Sequence, residues 1–160
     1  MDVFGQAQAY ALFNHLNYRP RPICQSYAAA SAPLMQLNQE QFLSDAAAPY
    51  LLFQLKAIDR KFPPLEDAWL LRDLLFNCQL VLREDPFLLL KKTSAKVPPM
   101  DLLAHGTLRP GQRLDLTPYG QANFWLELHL APTMAGRARQ WLYRPSMIRL
   151  AAWGAGVLME

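Results

Sequence analysis

An arginine-containing segment near the N-terminus carries the side chains best suited to bind a ligand. It reads Tyr18-Arg-Pro-Arg-Pro-Ile-Cys-Gln-Ser-Tyr27, and its prolines hold the backbone extended. Alternate side chains of an extended chain share a face, so Arg19 and Arg21 lie side by side. Guanidinium groups suit phosphate or carboxylate, whereas the amide of Gln25 and the ring of Tyr27 suit a sugar. These four residues form a candidate anion or sugar site.

The same arginines also have a structural interpretation, which we favour. Pro20 and Pro22 remove two backbone donors, so the segment cannot pair as a regular central strand. Its carbonyl groups still need donors wherever water is excluded, and an arginine carries five in a rigid fork. We therefore expect protein acceptors to hold at least one of the two guanidinium groups, with Asp59 or Asp67 as its carboxylate partner.

A second candidate site lies in Ile58-Asp-Arg-Lys-Phe-Pro-Pro-Leu-Glu-Asp67. Its carboxylates, Asp59, Glu66 and Asp67, fall between the end of a predicted strand and the start of a predicted helix, a usual place for sites in α/β sheets. A carboxylate pair there could transfer protons or hold a divalent cation. The alternative, which we favour, is that Glu66 and Asp67 cap the helix and complement its dipole.

Sequence motifs for cofactors, metals and activated nucleophiles are missing. The chain has no GxGxxG, GxxxxGK[ST], HExxH, GxSxG or CxxC, and its three histidines are scattered. Cys24 and Cys78 lie in apolar surroundings, where a lone cysteine is usually a small buried hydrophobe, although a disulfide stays open. We therefore expect no cofactor, no metal site and no catalytic residue in the isolated chain.

Composition indicates a folded piece of something larger. Of the 160 residues 52% are hydrophobic and 18% charged, which is too apolar for disorder and lean in charge for a free-standing protein. The net charge of +3 is spread thinly, so nucleic acid is not an expected partner. No apolar run reaches the length of a membrane span, so the isolated chain should be soluble.

Hydrophobic periodicity predicts an α+β fold in two parts. Residues 1–93 should form a three-stranded α/β layer, from helices at 5–17 and 32–43, a strand at 50–58, a helix after Pro64 and a hairpin at 79–92. Residues 94–99 read as a linker. Residues 100–160 should form an antiparallel, sandwich-like β unit, with strands near 112–118, 124–130, 137–143 and 147–153.

Several strings in residues 1–92 resemble one segment of large bacterial multi-pass membrane proteins. They are Asn17-Tyr-Arg-Pro-Arg-Pro-Ile-Cys-Gln-Ser-Tyr-Ala-Ala, Leu34 to Asn38, Ala48-Pro49, Ile58-Asp59, Phe62-Pro63 and Leu65-Glu-Asp67. Those proteins look like membrane-embedded glycosyltransferases of the dolichyl-phosphate-mannose type, which use lipid-linked sugars, or their uncharacterised relatives. The chain departs from the pattern at Cys24, where Phe is common, and at Ala30, where Tyr is expected.

The resemblance implies an accessory domain on the periplasmic side of a bacterial membrane, linked to glycan or cell-envelope assembly. The transmembrane part of the same parent protein would be its partner, with a glycan or lipid-linked sugar as a further candidate. No catalytic residue carries over onto this region. Two other classes stay open: a stand-alone enzyme using Asp59 and Glu66, and a soluble interaction module.

Overall fold

The computed structural model describes residues 1–54, 56, 65–97, 99–120, 124–143, 152–154 and 157–159. The chain divides into two compact units, residues 1–102 and residues 103–160. Helices and strands occur in both units, and the predicted α+β class is confirmed. Among the described residues no helix is both long enough and apolar enough to cross a membrane.

A mixed four-stranded sheet forms the centre of the first unit. Its strands are β1 (Asp2–Phe4), β2 (Tyr50–Phe53), β3 (Cys78–Glu84) and β4 (Phe87–Lys92), in the order β1-β2-β4-β3. The predicted hairpin of β3 and β4 is present, turning at Asp85 and Pro86. The prediction of three strands was wrong because β1 was missed. That short strand pairs in parallel with β2, placing Val3 opposite Leu52.

Three helices pack onto this sheet: α1 (Gln8–Phe13), α2 (Ala32–Leu43) and α3 (Ala68–Asn77). The observed bounds of α2 are those predicted, with Ser31 at the N-cap position and Pro33 in the first turn, where its missing N–H costs nothing. Helix α1 is shorter than the predicted range 5–17, because His15 and Asn17 adopt positive φ angles that an α-helix cannot contain.

Alternation along β2 divides the apolar residues between two faces of the sheet. Leu51 and the half-buried Phe53 lie on the face covered by α2 and α3, where the core is Phe4, Phe42, Leu51, Leu70, Leu71 and Leu74. Leu52 lies on the opposite face, with Val3, Ala7 and Ala11. Successive side chains of a strand point to opposite faces, so a strand covered on both faces is apolar at nearly every position, as β2 is.

The apolar stripe of the helix after Pro64 and the apolar strands predict a shared core of Trp69, Leu70, Leu74, Phe53, Leu51 and Leu89, and this prediction is right in part. Leu70, Leu74, Leu51 and Phe53 pack together as expected. Leu89 does not join them, because it pairs with Leu52 and so belongs to the other face of the sheet. Trp69, the second residue of α3, is half-buried and lies outside this cluster. It directly precedes Leu70, so it points to one side of the helical row that faces the sheet.

The second unit differs from the predicted β unit. Its described elements are a 3-10 turn at Thr117–Tyr119, helix α4 (Met134–Leu142) and a hairpin of β5 (Ala152–Gly154) and β6 (Val157–Met159). Residues 112–116 and 124–130 form no strand, and the strand predicted at 137–143 is helical. Of the strand predicted at 147–153, residues 147–151 lie outside the described residues, and residues 152 and 153 belong to β5.

Local propensity explains why α4 is a helix. Its residues are mostly strong helix formers, namely Met, Ala, Arg, Gln and Leu. Thr133 provides the N-cap, because its hydroxyl accepts a hydrogen bond from the Gly136 N–H at 3.1 Å. The alternation of Arg137 and Arg139 with Ala138 suggested a strand, yet short alternation does not decide between the two structures when propensity points the other way.

Candidate functional site

The arginine-containing segment of residues 18–27, which we call the Pro-stiffened segment, covers the outer edge of β1. The Arg19 N–H donates to the Met1 carbonyl at 2.8 Å, and Arg21 Nη1 donates to the Val3 carbonyl at 2.9 Å. Further along, the Gly5 N–H donates to the Ser26 hydroxyl at 3.0 Å. One backbone N–H and two side chains therefore bind the edge of β1, which a proline-containing segment could not pair with as a regular strand.

Arg21 lies at the centre of this arrangement and is only 4% exposed. Its Nη1 is 2.9 Å from Asp2 Oδ2, and its Nη2 donates to the Ser26 hydroxyl at 2.7 Å. Its Nε lies 3.3 Å from Asp67 Oδ2 as an ion-pair contact without hydrogen-bond geometry. The guanidinium carbon also stands 5.4 Å from the centroid of the Phe4 ring. The expected protein-held arginine, with Asp67 as its partner, is confirmed, whereas Arg19 is exposed.

Asn38 links this arginine to α2 and to the start of α3. Its Nδ2 donates to Asp67 Oδ2 at 2.6 Å and to the Ile23 carbonyl at 3.0 Å. Its Oδ1 accepts from the Ile23 N–H at 2.8 Å. One amide thus ties the Pro-stiffened segment to two helices. We call the buried set Asp2, Arg21, Ser26, Asn38 and Asp67 the Arg21 cluster.

The charges of the Arg21 cluster do not balance. One guanidinium faces two carboxylates, Asp2 and Asp67, and Asp67 is 0% exposed. Burial raises the pKa of Asp67 to about 6, while Arg21 and the Asn38 amide act to lower it and Asp2 acts to raise it. Desolvation is the largest of these effects because it disfavours the charged carboxylate.

Asp67 does not cap α3, so that part of the helix-start prediction was wrong. It stands at the N-cap position, yet it adopts a left-handed φ of 51° and makes no side-chain cap hydrogen bond. Its carboxylate turns to Arg21 and Asn38, because a buried guanidinium is a stronger partner for a carboxylate than an amide N–H. Glu66 is buried beside it, and Asp59 lies outside the described residues.

The remaining predicted site residues lie at the surface. Gln25 is exposed, and Tyr27 is half-buried and donates its hydroxyl hydrogen to Gln25 Oε1 at 2.8 Å. The fold therefore brings Arg21 and Asp67 together and leaves Arg19 and Gln25 in solvent. Within the described part of the chain, no group of three His, Cys, Asp or Glu residues could hold a metal ion.

Sequence reasoning missed Asp2, Ser26 and Asn38 as members of the cluster. Only Asn38 carried a usable signal, because it stands midway between Leu34 and Phe42 at intervals of four residues. That spacing places its amide on the buried row of a helix, where a polar group needs partners. Asp2 and Ser26 gave no comparable pattern, since their role depends on β1 and the Pro-stiffened segment lying side by side.

A small cavity lies beside the cluster. Its volume is about 20 Å³, and its lining includes Asp2, Arg21, Phe42 and Leu70. That is room for roughly one water molecule. A sugar ring or a phosphate group would not fit without moving the core.

Cys24 and Cys78 are free cysteines. Burial raises the pKa of the Cys78 thiol to about 11, and the nearby Lys92 ammonium only partly opposes this effect. The thiolate is the nucleophilic form, so a thiol with a raised pKa is unreactive. Cys78 therefore acts as a half-buried apolar group beside the core and not as a nucleophile.

We expect Cys78 to react with iodoacetamide roughly a hundredfold more slowly at pH 8 than a cysteine in a short peptide. The C24A variant leaves it as the single thiol, and mass spectrometry measures its rate of alkylation. Because the folded thiol stays protonated up to about pH 11, the rate should keep rising through pH 10. A rate that levels off near pH 9 would contradict the raised pKa.

Comparisons with known proteins add no relative to this picture: no family profile, no curated protein and no solved structure matches the chain. The resemblance to membrane-embedded glycosyltransferases thus stays a prediction from the residues that carry it.

Proposed function

We propose that the chain is a non-catalytic accessory module of a larger membrane protein. It would dock on the transmembrane part of that protein, on the periplasmic side, and take part in glycan or cell-envelope assembly. The observation that carries the proposal is the use of Arg21. Arg21, one of the two arginines whose guanidinium could have bound a phosphate or sugar, is instead bound to Asp2, Val3 and Ser26 within the fold.

The neighbourhood of Arg21 supports a structural role over catalysis. The adjoining cavity of about 20 Å³ is too small for a substrate. Asp67 is 0% exposed, and its carboxylate contacts two other members of the cluster, Asn38 and Arg21. A contact with a glycan or lipid-linked sugar would fall to Arg19, Gln25 and Tyr27, which are not buried.

An apolar surface on the first unit supports docking. Strand β3 is an edge strand of the sheet, and its Leu80, Val81 and Leu82 are each more than half exposed. Leu75 and Phe76 of α3, just before it in the chain, are also exposed. We call these five residues the β3 patch. Several exposed apolar side chains on and beside an edge strand are features that soluble proteins normally avoid unless a partner covers them.

The proposed periplasmic location comes from the resemblance in residues 1–92, because in the proteins that carry this segment it would lie outside the bilayer, after a set of transmembrane helices. The occupant we infer for the β3 patch is therefore the membrane-embedded part of the same polypeptide. A covering partner also accounts for the low fraction of charged residues, 18% of the chain.

Cysteine labelling in the protein expressed from its complete open reading frame tests this proposal. Cys24 and Cys78 are first replaced by alanine, and V81C then reports on the β3 patch. D45C is the matched control, because Asp45 is exposed and lies beyond the end of α2. In the isolated 160-residue chain both sites should react with a membrane-impermeant maleimide.

In cells whose outer membrane has been permeabilised, D45C should still react with the maleimide. V81C should react about tenfold more slowly than it does in the isolated chain, because the partner covers the β3 patch. Equal labelling of the two sites would contradict docking through the β3 patch. Labelling of D45C only after the inner membrane is broken would place the domain in the cytoplasm and contradict the proposed address.

A further inference from the structure

Helix α4 has one apolar side. At 100° per residue, Met134, Ala135, Ala138, Trp141 and Leu142 fall within an arc of roughly 120°. Arg137 and Arg139 stand just outside the two edges of this arc. The polar remainder is Gly136 and Gln140. An arc of this width is typical of a helix that buries one side against a protein core or a lipid surface.

That apolar side faces solvent. Met134 is 88% exposed and Trp141 is 87% exposed, and Leu142 is also exposed. Tyr143, which follows the helix, is exposed as well. Within the part of the chain that the structure describes, α4 therefore packs its apolar side against nothing. A tryptophan so exposed loses the burial that its large ring would gain elsewhere.

The charge around α4 is of one sign. Between Leu130 and Met159 the sequence holds four arginines and no Asp or Glu. The last acidic residue before the helix is Glu127, whose Oε1 lies 3.1 Å from Nε2 of His129. A partner that complements α4 would offer an apolar layer for the apolar arc and negative charges for Arg137 and Arg139 at its two edges. The headgroup region of an anionic bilayer has that composition.

We propose that α4 binds the surface of an anionic lipid bilayer and lies in its plane. Trp141, Met134 and Leu142 would enter the boundary between headgroups and acyl chains, where Trp is favoured. Arg137 and Arg139, on opposite edges of the apolar arc, would reach up to lipid phosphates on either side of the helix. This surface belongs to the second unit, and the inference stands independently of the proposed docking of the first.

Vesicle co-sedimentation with the full 160-residue chain tests the proposal. The probes are vesicles of phosphatidylcholine alone and vesicles of phosphatidylcholine mixed with phosphatidylglycerol. We expect binding to the mixed vesicles that weakens with salt, and little binding to the neutral ones. Binding of equal strength to both would overturn the charge argument, and binding to neither would overturn the proposal.

Two sets of variants assign the binding to α4. R137Q/R139Q should weaken binding about thirtyfold, because each charge near the surface contributes about fivefold. The control R83Q/R109Q removes the same charge at two exposed sites outside α4 and should bind like the parent chain. R137K/R139K, which keeps the charge, should also bind. A control that loses as much as R137Q/R139Q would show that only net charge matters and overturn the role of α4.

Lipids with brominated acyl chains report the depth of Trp141. They should quench part of the tryptophan fluorescence of the parent chain, and W141F should lose that part while still binding. W141A should bind about tenfold more weakly, whereas the control L102A, at an exposed leucine of the first unit, should not. These side chains are exposed, so the fold should persist. Quenching that is unchanged in W141F would overturn the proposed orientation.

Discussion

Replacing Arg21 with alanine is expected to lower the free energy of unfolding by about 3–5 kcal/mol. The substitution leaves the buried carboxylates of Asp2 and Asp67 without their cation, and it removes the donor to the Val3 carbonyl. Breaking a buried ion pair on one side costs more than the pair contributes, because the surviving charge stays out of water. Urea unfolding followed by circular dichroism gives the difference.

Arg19 provides the matched control for that measurement. It belongs to the same segment and carries the same charge, yet its side chain is exposed and only its backbone N–H is bound to Met1. R19A should therefore change the free energy of unfolding by no more than about 0.5 kcal/mol. R21K should stay well below the parent chain, because an ammonium cannot reproduce the guanidinium fork that contacts Asp2, Ser26 and Asp67. Equal losses in R19A and R21A would refute the assignment.

The first unit was largely predictable from local patterns. The bounds of α2 followed from a serine N-cap, Ser26 or Ser31, and from the break at Ala47-Ala-Pro49. The hairpin followed from two apolar runs around Asp85 and Pro86. Strand β1 was not predictable this way. Three residues beside the N-terminus carry no periodicity, and β1 is a strand because the sheet and the Pro-stiffened segment enclose it.

The sequence predicted that an arginine of the candidate site would bind protein acceptors, but it did not predict all the partners that the fold brings together there. Prolines beside arginines implied that a guanidinium would serve the backbone, and Arg21 does so at Val3. The capping role assigned to Asp67 failed because that reasoning considered only the helix that follows it. The carboxylate is drawn instead to a cation from a distant part of the chain, which local sequence does not reveal.

The second unit shows where alternation misleads. Residues 124–130 alternate in polarity, yet they form no strand and many of their side chains are exposed. Alternation stabilises a strand only when a neighbouring strand and a second layer cover its apolar side. In α4 the helix propensity of the individual residues outweighs the alternating pattern, and the outcome is the amphipathic helix on which the inferred lipid contact rests.

Asp67 should make the stability of the first unit fall as pH rises from about 4 to about 6. Its folded-state pKa is raised to about 6, whereas an aspartate in an unfolded chain titrates near pH 3.9. Below about pH 4 the carboxyl is protonated in both states. Between the two pKa values the unfolded chain releases the proton and the folded chain keeps it. A difference of about two pKa units corresponds to about 3 kcal/mol, which is lost by the time the pH passes 6.

The D67N variant should lack this fall, because an amide does not titrate and asparagine tolerates the left-handed φ of 51° at this position. Asp73 is the control, since burial also raises its pKa and D73N leaves Asp67 in place. The curves of the parent chain and D67N should therefore diverge between pH 4 and pH 6, with D73N retaining most of the slope. Parallel curves for the parent chain and D67N would mean that Arg21 holds Asp67 ionised throughout. The cluster would then carry its unbalanced negative charge over that whole pH range.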